Sequence, residues 1–224
     1  SPGLARIYSS QFGTVSQNFD FNQLPGRLKD PQLRRLWIDG LDLELREQLL
    51  ESARRYEQIA AAVPEESFTY WRIARNYWRH GESLAHEAKA ERLRYFELSE
   101  DWAARGIRLD PDCAACMLWK FVAMGRQATT KGLMSAAGDV KEMEGLLRDG
   151  IELQPSDSDN PGNSTLGNLY YAGAVFYRVI PDWFWLKWFV GVRGDKERAL
   201  EYIREAVELA PIRVDYRVEL GAVL

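Results

Sequence analysis

The chain has 224 residues, 46% of them hydrophobic, with a formal net charge of −4. This composition supports a packed core and argues against global disorder, and the acidic balance argues against a nucleic-acid binder. No apolar run reaches the roughly 18–20 residues of a membrane-spanning helix, and two cysteines are too few for a disulfide scaffold.

The first residues, Ser1-Pro2-Gly3, carry neither Met nor the basic and apolar regions of a signal peptide, so the chain reads as processed or cut from something longer. Residues 1–29 are rich in Ser, Gly, Asn and Gln, with Phe12, Phe19 and Phe21 as isolated anchors. They read as a loop-rich N-terminal arm over a helical repeat domain spanning 30–224. Asp30-Pro31 is a helix start, an N-cap followed by proline at the first helical position. Helix is expected through Leu36 and Trp37, with a break or bend near Gly40, and again to Ala62.

A cadence then recurs. Ser52, Tyr56, Ile59 and Ala62 run to Pro64; Ser99, Ala103, Gly106 and Leu109 run to Pro111. Met143, Leu147, Gly150 and Leu153 run to Pro155; Ala199, Ile203, Ala206 and Leu209 run to Pro211. Steps of four, three and three place such residues on one helical face, and each proline stops its helix. Partner helices lie between: Glu66 to His80 with Tyr70, Ala74 and Tyr77; Asp112 to Met124 with Met117, Phe121 and Met124. Thr165 to Val179 follows with Leu169, Gly173 and Phe176, and Val214 to Leu224 ends the chain. The last helix lacks a second helix to follow it, which predicts that the native chain continues or that another subunit covers this end. No stretch reads as a strand.

A large–small–large helix followed by a small–large–small helix with a terminal proline is the pattern of a tetratricopeptide repeat, usually of about 34 residues. Here the prolines are 47, 44 and 56 residues apart, so insertions are expected near Gly81–Arg94, Gly125–Val140 and Tyr177–Lys196. The segment Tyr70-Trp71-Arg72-Ile73-Ala74-Arg75, the stretch from Leu109-Asp110-Pro111 to Trp119, and the stretch Tyr170 to Pro211 resemble two groups. One is the regulator of microtubule dynamics family; the other is the bacterial tetratricopeptide component associated with TRAP transporters. The resemblance covers about 65–215. It implies an all-α, irregular tetratricopeptide-like superhelix of antiparallel helix pairs with long insertions. The transporter-associated group would further imply a cell-envelope accessory protein with a hydrophobic cleft.

The candidate chemistry is sparse. Cys113 and Cys116 share the face of a first helical turn, where the helix N-terminus lowers a thiol pKa, so they are either a redox pair or small core residues. The core reading is preferred. His80 and His86, six residues apart, do not complete a zinc site with them. Asp157 and Asp159 resemble the start of a calcium loop, but Pro161 and Asn168 stand where positions five and twelve need ligands. A polar turn capping the next helix is preferred. There is no phosphate-binding Gly-rich loop and no nucleophile elbow, so no enzyme activity, no cofactor and no metal are expected. In the segment Val179–Val192, Trp183 and Trp185 stand about 200° apart on a helix. Trp183, Phe184, Trp185 and Trp188 therefore either pack as extra core, line an apolar ligand pocket, or touch a partner or a membrane surface.

The sequence thus predicts a non-enzymatic scaffold whose groove, lined by Tyr70, Tyr77, Met117 and Trp119, holds a protein partner, as an accessory subunit of a bacterial cell-envelope complex. The alternative is a transport accessory that binds a small apolar or lipid-like ligand among Trp183, Phe184, Trp185 and Trp188. Periplasmic or envelope-associated placement is expected, with the cytoplasm as the alternative; oligomer formation is compatible with either reading.

Overall fold

The structure is a computed structural model. It describes residue 28 and residues 30–132, 138–156, 164–180 and 194–224. Every long regular element among them is an α-helix. The chain divides into two compact units, one ending at Pro111 and one beginning at Asp112.

The first unit holds α1 (Pro31–Leu45), α2 (Leu49–Ala62), α3 (Phe68–Ser83) and α4 (Lys89–Leu109). Each packs on the next in the chain. Asp30 caps α1 as expected, its carboxylate accepting from the backbone N–H of Gln32 at 2.8 Å and of Leu33 at 3.2 Å. Helix α1 does not break at Gly40. It runs on to Leu45, and the chain turns instead at Arg46–Gln48, where Glu47 takes a φ of 59°. Gly40 has a different task. A Cβ there would stand 2.9 Å from the ring of Tyr56 on α2, so the glycine admits a neighbour rather than ending a helix. Gly81 on α3 admits Phe96 on α4 in the same way, at 2.8 Å. Trp37, Tyr56, Ile59, Tyr70 and Ile73 form the core, joined by Leu28.

The second unit holds α5 (Ala114–Lys131), α6 (Val140–Glu152), α7 (Thr165–Val179), α8 (Lys196–Leu209) and α9 (Val214–Val223). Again consecutive helices pack together, and α7 also meets α5 and α9. One core gathers Leu118, Phe121, Leu147, Leu169 and Phe176. A second gathers Ala174, Ile203, Ala206, Ala210 and Tyr216. Within α9, Val218 is exposed whereas Val223 is partly buried against both cores.

The odd-numbered helices are the first members of each pair and the even-numbered ones the second. Every second helix stops two or three residues before its proline, at Ala62, Leu109, Glu152 and Leu209. In these helices the first three cadence residues are buried, as at Ala199, Ile203 and Ala206, but the fourth is not: Ala62, Leu109, Leu153 and Leu209 are exposed. Ten residues from Ala199 to Leu209 turn the helix about 80° short of three whole turns, so the fourth residue leaves the packed face. The expected insertions also change character. Helix α3 continues to Ser83 and α4 begins at Lys89, so most of Gly81–Arg94 is helix, and α4 reaches 21 residues. Helix α5 likewise continues past Gly125 to Lys131. Most of Tyr177–Lys196, the calcium-like Asp157, Asp159 and Pro161, and the arm residues 1–27 lie outside the described residues.

Candidate interaction site

The first unit contains an open cleft of about 470 Å³. The last turns of α2 supply Glu57, Ala60 and Ala61, with Pro64 just beyond; α3 supplies Tyr70; the end of α4 supplies Trp102, Arg105, Arg108 and Leu109. The cleft therefore lies between two second helices, α2 and α4. The alanines make the space, since no side chain larger than a methyl fills it from their positions.

Its aromatic wall is fixed from several directions. Tyr70 is buried, and its hydroxyl donates to the Pro64 carbonyl at 2.8 Å. Burial pushes the Tyr70 phenol above its ordinary value, with Arg105 opposing. The start of α3 is tied to the end of α4 by Ser67 Oγ, which donates to Asp110 Oδ2 at 3.0 Å. The Trp102 ring lies 5.5 Å from that of Tyr70. The Arg105 guanidinium sits 4.8 Å from the Trp102 centroid, stacked on the indole.

The cleft changes the place expected for two tyrosines. Tyr70 and Tyr77 do share one face of α3, but that face is turned toward α2 and α4. The Tyr77 hydroxyl donates to Glu57 Oε1 of α2 at 2.5 Å, and its ring stacks on Tyr95 of α4 at 6.2 Å. Burial first, and then Glu57, push the Tyr77 phenol well above its ordinary value. Seven residues turn a helix by two turns less about 20°, so the pairing of these residues was visible in the spacing, whereas the partner they face was not.

The other face of α3 is closed by a buried ionic network. Glu44 near the end of α1 is 7% exposed. It accepts from Arg75 Nη2 at 2.5 Å and Asn76 Nδ2 at 3.0 Å, with Arg72 Nη1 at 3.5 Å. Arg72 also stacks on Trp37 and Trp71 at 4.8 and 4.5 Å. This face binds α1 to α3 and is committed to the fold.

In the second unit, Met117 is buried, with its sulfur 3.6 Å from where a Cβ on Gly150 would stand, so it packs rather than lining a surface. Trp119 is half-buried on α5. Cys113 and Cys116 are joined by a disulfide and both are buried; Cys113 also caps α5, its sulfur accepting from the Cys116 N–H at 3.2 Å. Both are core residues, as the preferred reading has them, and they are also joined to each other, as the alternative of a redox pair allows. Trp183, Phe184, Trp185 and Trp188 lie outside the described residues.

Sequence reasoning passed over Glu57, Trp102, Arg105 and Arg108. A signal was present: Trp102, Arg105 and Arg108 step by three along the end of one helix, just before Asp110-Pro111.

Pairs of helices in strict alternation, each second helix ending before a proline and with Gly40 and Gly81 each admitting a large side chain of the next helix, define a divergent tetratricopeptide-type helical repeat. The chain belongs to the regulator of microtubule dynamics protein 1-3 family, whose model matches residues 38–175. That match begins in α1, well before the segment from 65 in which the resemblance was visible. A thermophilic tetratricopeptide-repeat protein of Thermus thermophilus has a similar fold, with a TM-score of 0.58 at 16% identity, over 88% of this chain and 84% of that one. No curated protein sequence matches the chain significantly.

Proposed function

We propose that the chain is a non-enzymatic helical-repeat scaffold that binds a protein partner. The observation that carries this reading is the open cleft of the first unit, with an aromatic wall and with two exposed arginines, Arg105 and Arg108, that pair with no carboxylate among the described residues. Helical repeats present side-chain-lined surfaces assembled from successive units, and the cleft is such a surface. The proposal extends to an accessory role in a cell-envelope complex, which rests on the likeness to the transporter-associated component alone. The carrier reading drew on Trp183, Phe184, Trp185 and Trp188, and no described residue adds to it.

Site-specific photo-crosslinking in the native cell tests the scaffold reading. A benzophenone amino acid replaces exposed Leu109, whose own side chain already lines the cleft, or exposed Arg35 on α1. The expected result is a discrete adduct with one protein, which then binds the purified chain with a fixed stoichiometry. Absence of any adduct from either position would overturn the reading.

A further inference from the structure

We propose that the α2–α4 cleft recognises a short acidic segment of a partner protein, carrying one large apolar anchor flanked by carboxylates. This rests on the scaffold reading and names the chemistry of its partner.

The charge balance is the first argument. Four arginines of the first unit are spent within the fold: Arg72 and Arg75 on Glu44, Arg79 on Glu47, Arg92 on Glu82. Arg105 and Arg108 differ. Both are exposed, both line the cleft, and neither has a carboxylate within ion-pair distance among the described residues. Glu57 is the one carboxylate among the lining residues, and it already accepts from Tyr77. The cleft thus carries two cations against one engaged anion, in a chain whose net charge is −4.

A plainer role for these arginines is to offset the carbonyl end of the α4 dipole. Arg108, in the last turn, does so. That role leaves the planar fork of donors open, and it does not account for Arg105 being laid on Trp102. A guanidinium stacked on an indole has lost part of its rotamer freedom already, so less is lost when it meets a carboxylate in bidentate fashion.

Shape is the second argument. Ala60 and Ala61 leave room opposite Tyr70 and Trp102, and the volume lies within the roughly 300–1,000 Å³ of ligand sites. An apolar anchor fills that room while its flanking carboxylates reach the arginines. The cleft is open to solvent, so it does not enclose a free small molecule as ligand pockets do. A peptide compensates by adding contacts along the chain on either side of its anchor.

The probe is an acetylated, fluorescein-labelled peptide with one Leu between pairs of Asp and Glu. Two controls replace the acids by Lys or the Leu by Gly. Fluorescence anisotropy against the full chain should show binding of the acidic Leu peptide only, weakening as salt rises. The double variant Arg105→Gln, Arg108→Gln should weaken it at least about tenfold with only a small drop in melting temperature, because both side chains are exposed and the indole stacking and helix-end charge they give up are weak there. Ala61→Trp, which fills the cleft from an exposed position, should abolish it.

No binding by any peptide, equal binding by the Lys peptide, or equal binding by the double variant would overturn the proposal. So would displacement of the peptide by indole acetate at an affinity matching the peptide's own, which would make the cleft a small-carboxylate site. The crosslinks separate the two readings: adducts from Arg35 but not Leu109 leave the scaffold standing and remove the cleft, whereas no adduct from either removes both.

Discussion

Tyr202 of α8 covers Gly173 of α7 so closely that a Cβ on the glycine would stand 2.4 Å from the ring carbon Cδ2. The ring cannot easily retreat, because Tyr170 and Tyr177 flank it at centroid distances of 5.5 and 5.8 Å. Gly173→Ala gains up to about 1 kcal/mol of helix propensity and loses more through overpacking, for a net destabilisation of about 1–3 kcal/mol. Gly145, inside α6, has nothing within 4 Å of its Cβ position, so Gly145→Ala should stabilise by up to about 1 kcal/mol. Chemical denaturation of the two variants checks both signs.

Glu44→Ala removes the anion that Arg72, Arg75 and Asn76 share. The two guanidiniums are left in side chains only 10% and 13% exposed. Breaking a buried pair from one side costs about 3–5 kcal/mol. A loss below about 1 kcal/mol in unfolding free energy by chemical denaturation would show that water reaches the network freely.

His80 on α3 packs edge-on against Tyr95, with centroids 4.4 Å apart. Burial lowers its pKa below the ordinary value, against the opposing pull of Glu91 and Glu51. The unfolded chain then takes up the proton more readily than the folded one. Stability is unaffected well above about pH 6.5 and falls as pH drops from there toward the lower folded value. His80→Gln should flatten that fall, as measured by melting temperature across the range.

Asp215 at the start of α9 accepts from Arg213 Nε at 2.8 Å and Nη2 at 2.5 Å. The hydrogen bonds from Arg213 hold its carboxyl below the ordinary carboxylate value, with burial opposing. Its stabilising contribution is present above the unfolded value and is lost as pH falls through the folded one. Asp215→Asn should melt lower than the parent at neutral pH, and the two should converge in acid.

The cadence before each proline was legible because helical period and proline are local signals. It located α2, α6 and α8 to within a few residues, and the end of α4 but not its start, which lies ten residues before Ser99. Gly40 misled because a glycine that ends a helix and a glycine that admits Tyr56 look alike in one dimension; only the partner, 16 positions on, separates them. Glu44 was equally opaque, since a helical Glu reads as solvated until Arg72 and Arg75 arrive from another helix. The cleft was half visible. Tyr70 stands out in the sequence, yet its spacing does not reveal which helices it faces, and Trp102 and Arg105 read as ordinary helix surface.

Within the first unit each helix buries its face on the one that precedes it in the chain. Most contacts are therefore settled over short stretches of sequence, which favours rapid folding. During synthesis α1 can find α2 as soon as both have left the ribosome, and α3 can add to that pair without waiting for residues far downstream. The exception is the junction at Asp110, where Ser67 is held by a residue 43 positions later. The cleft beside it is completed only when the end of α4 emerges, so a nascent chain would gain its secondary structure well before it gained this surface.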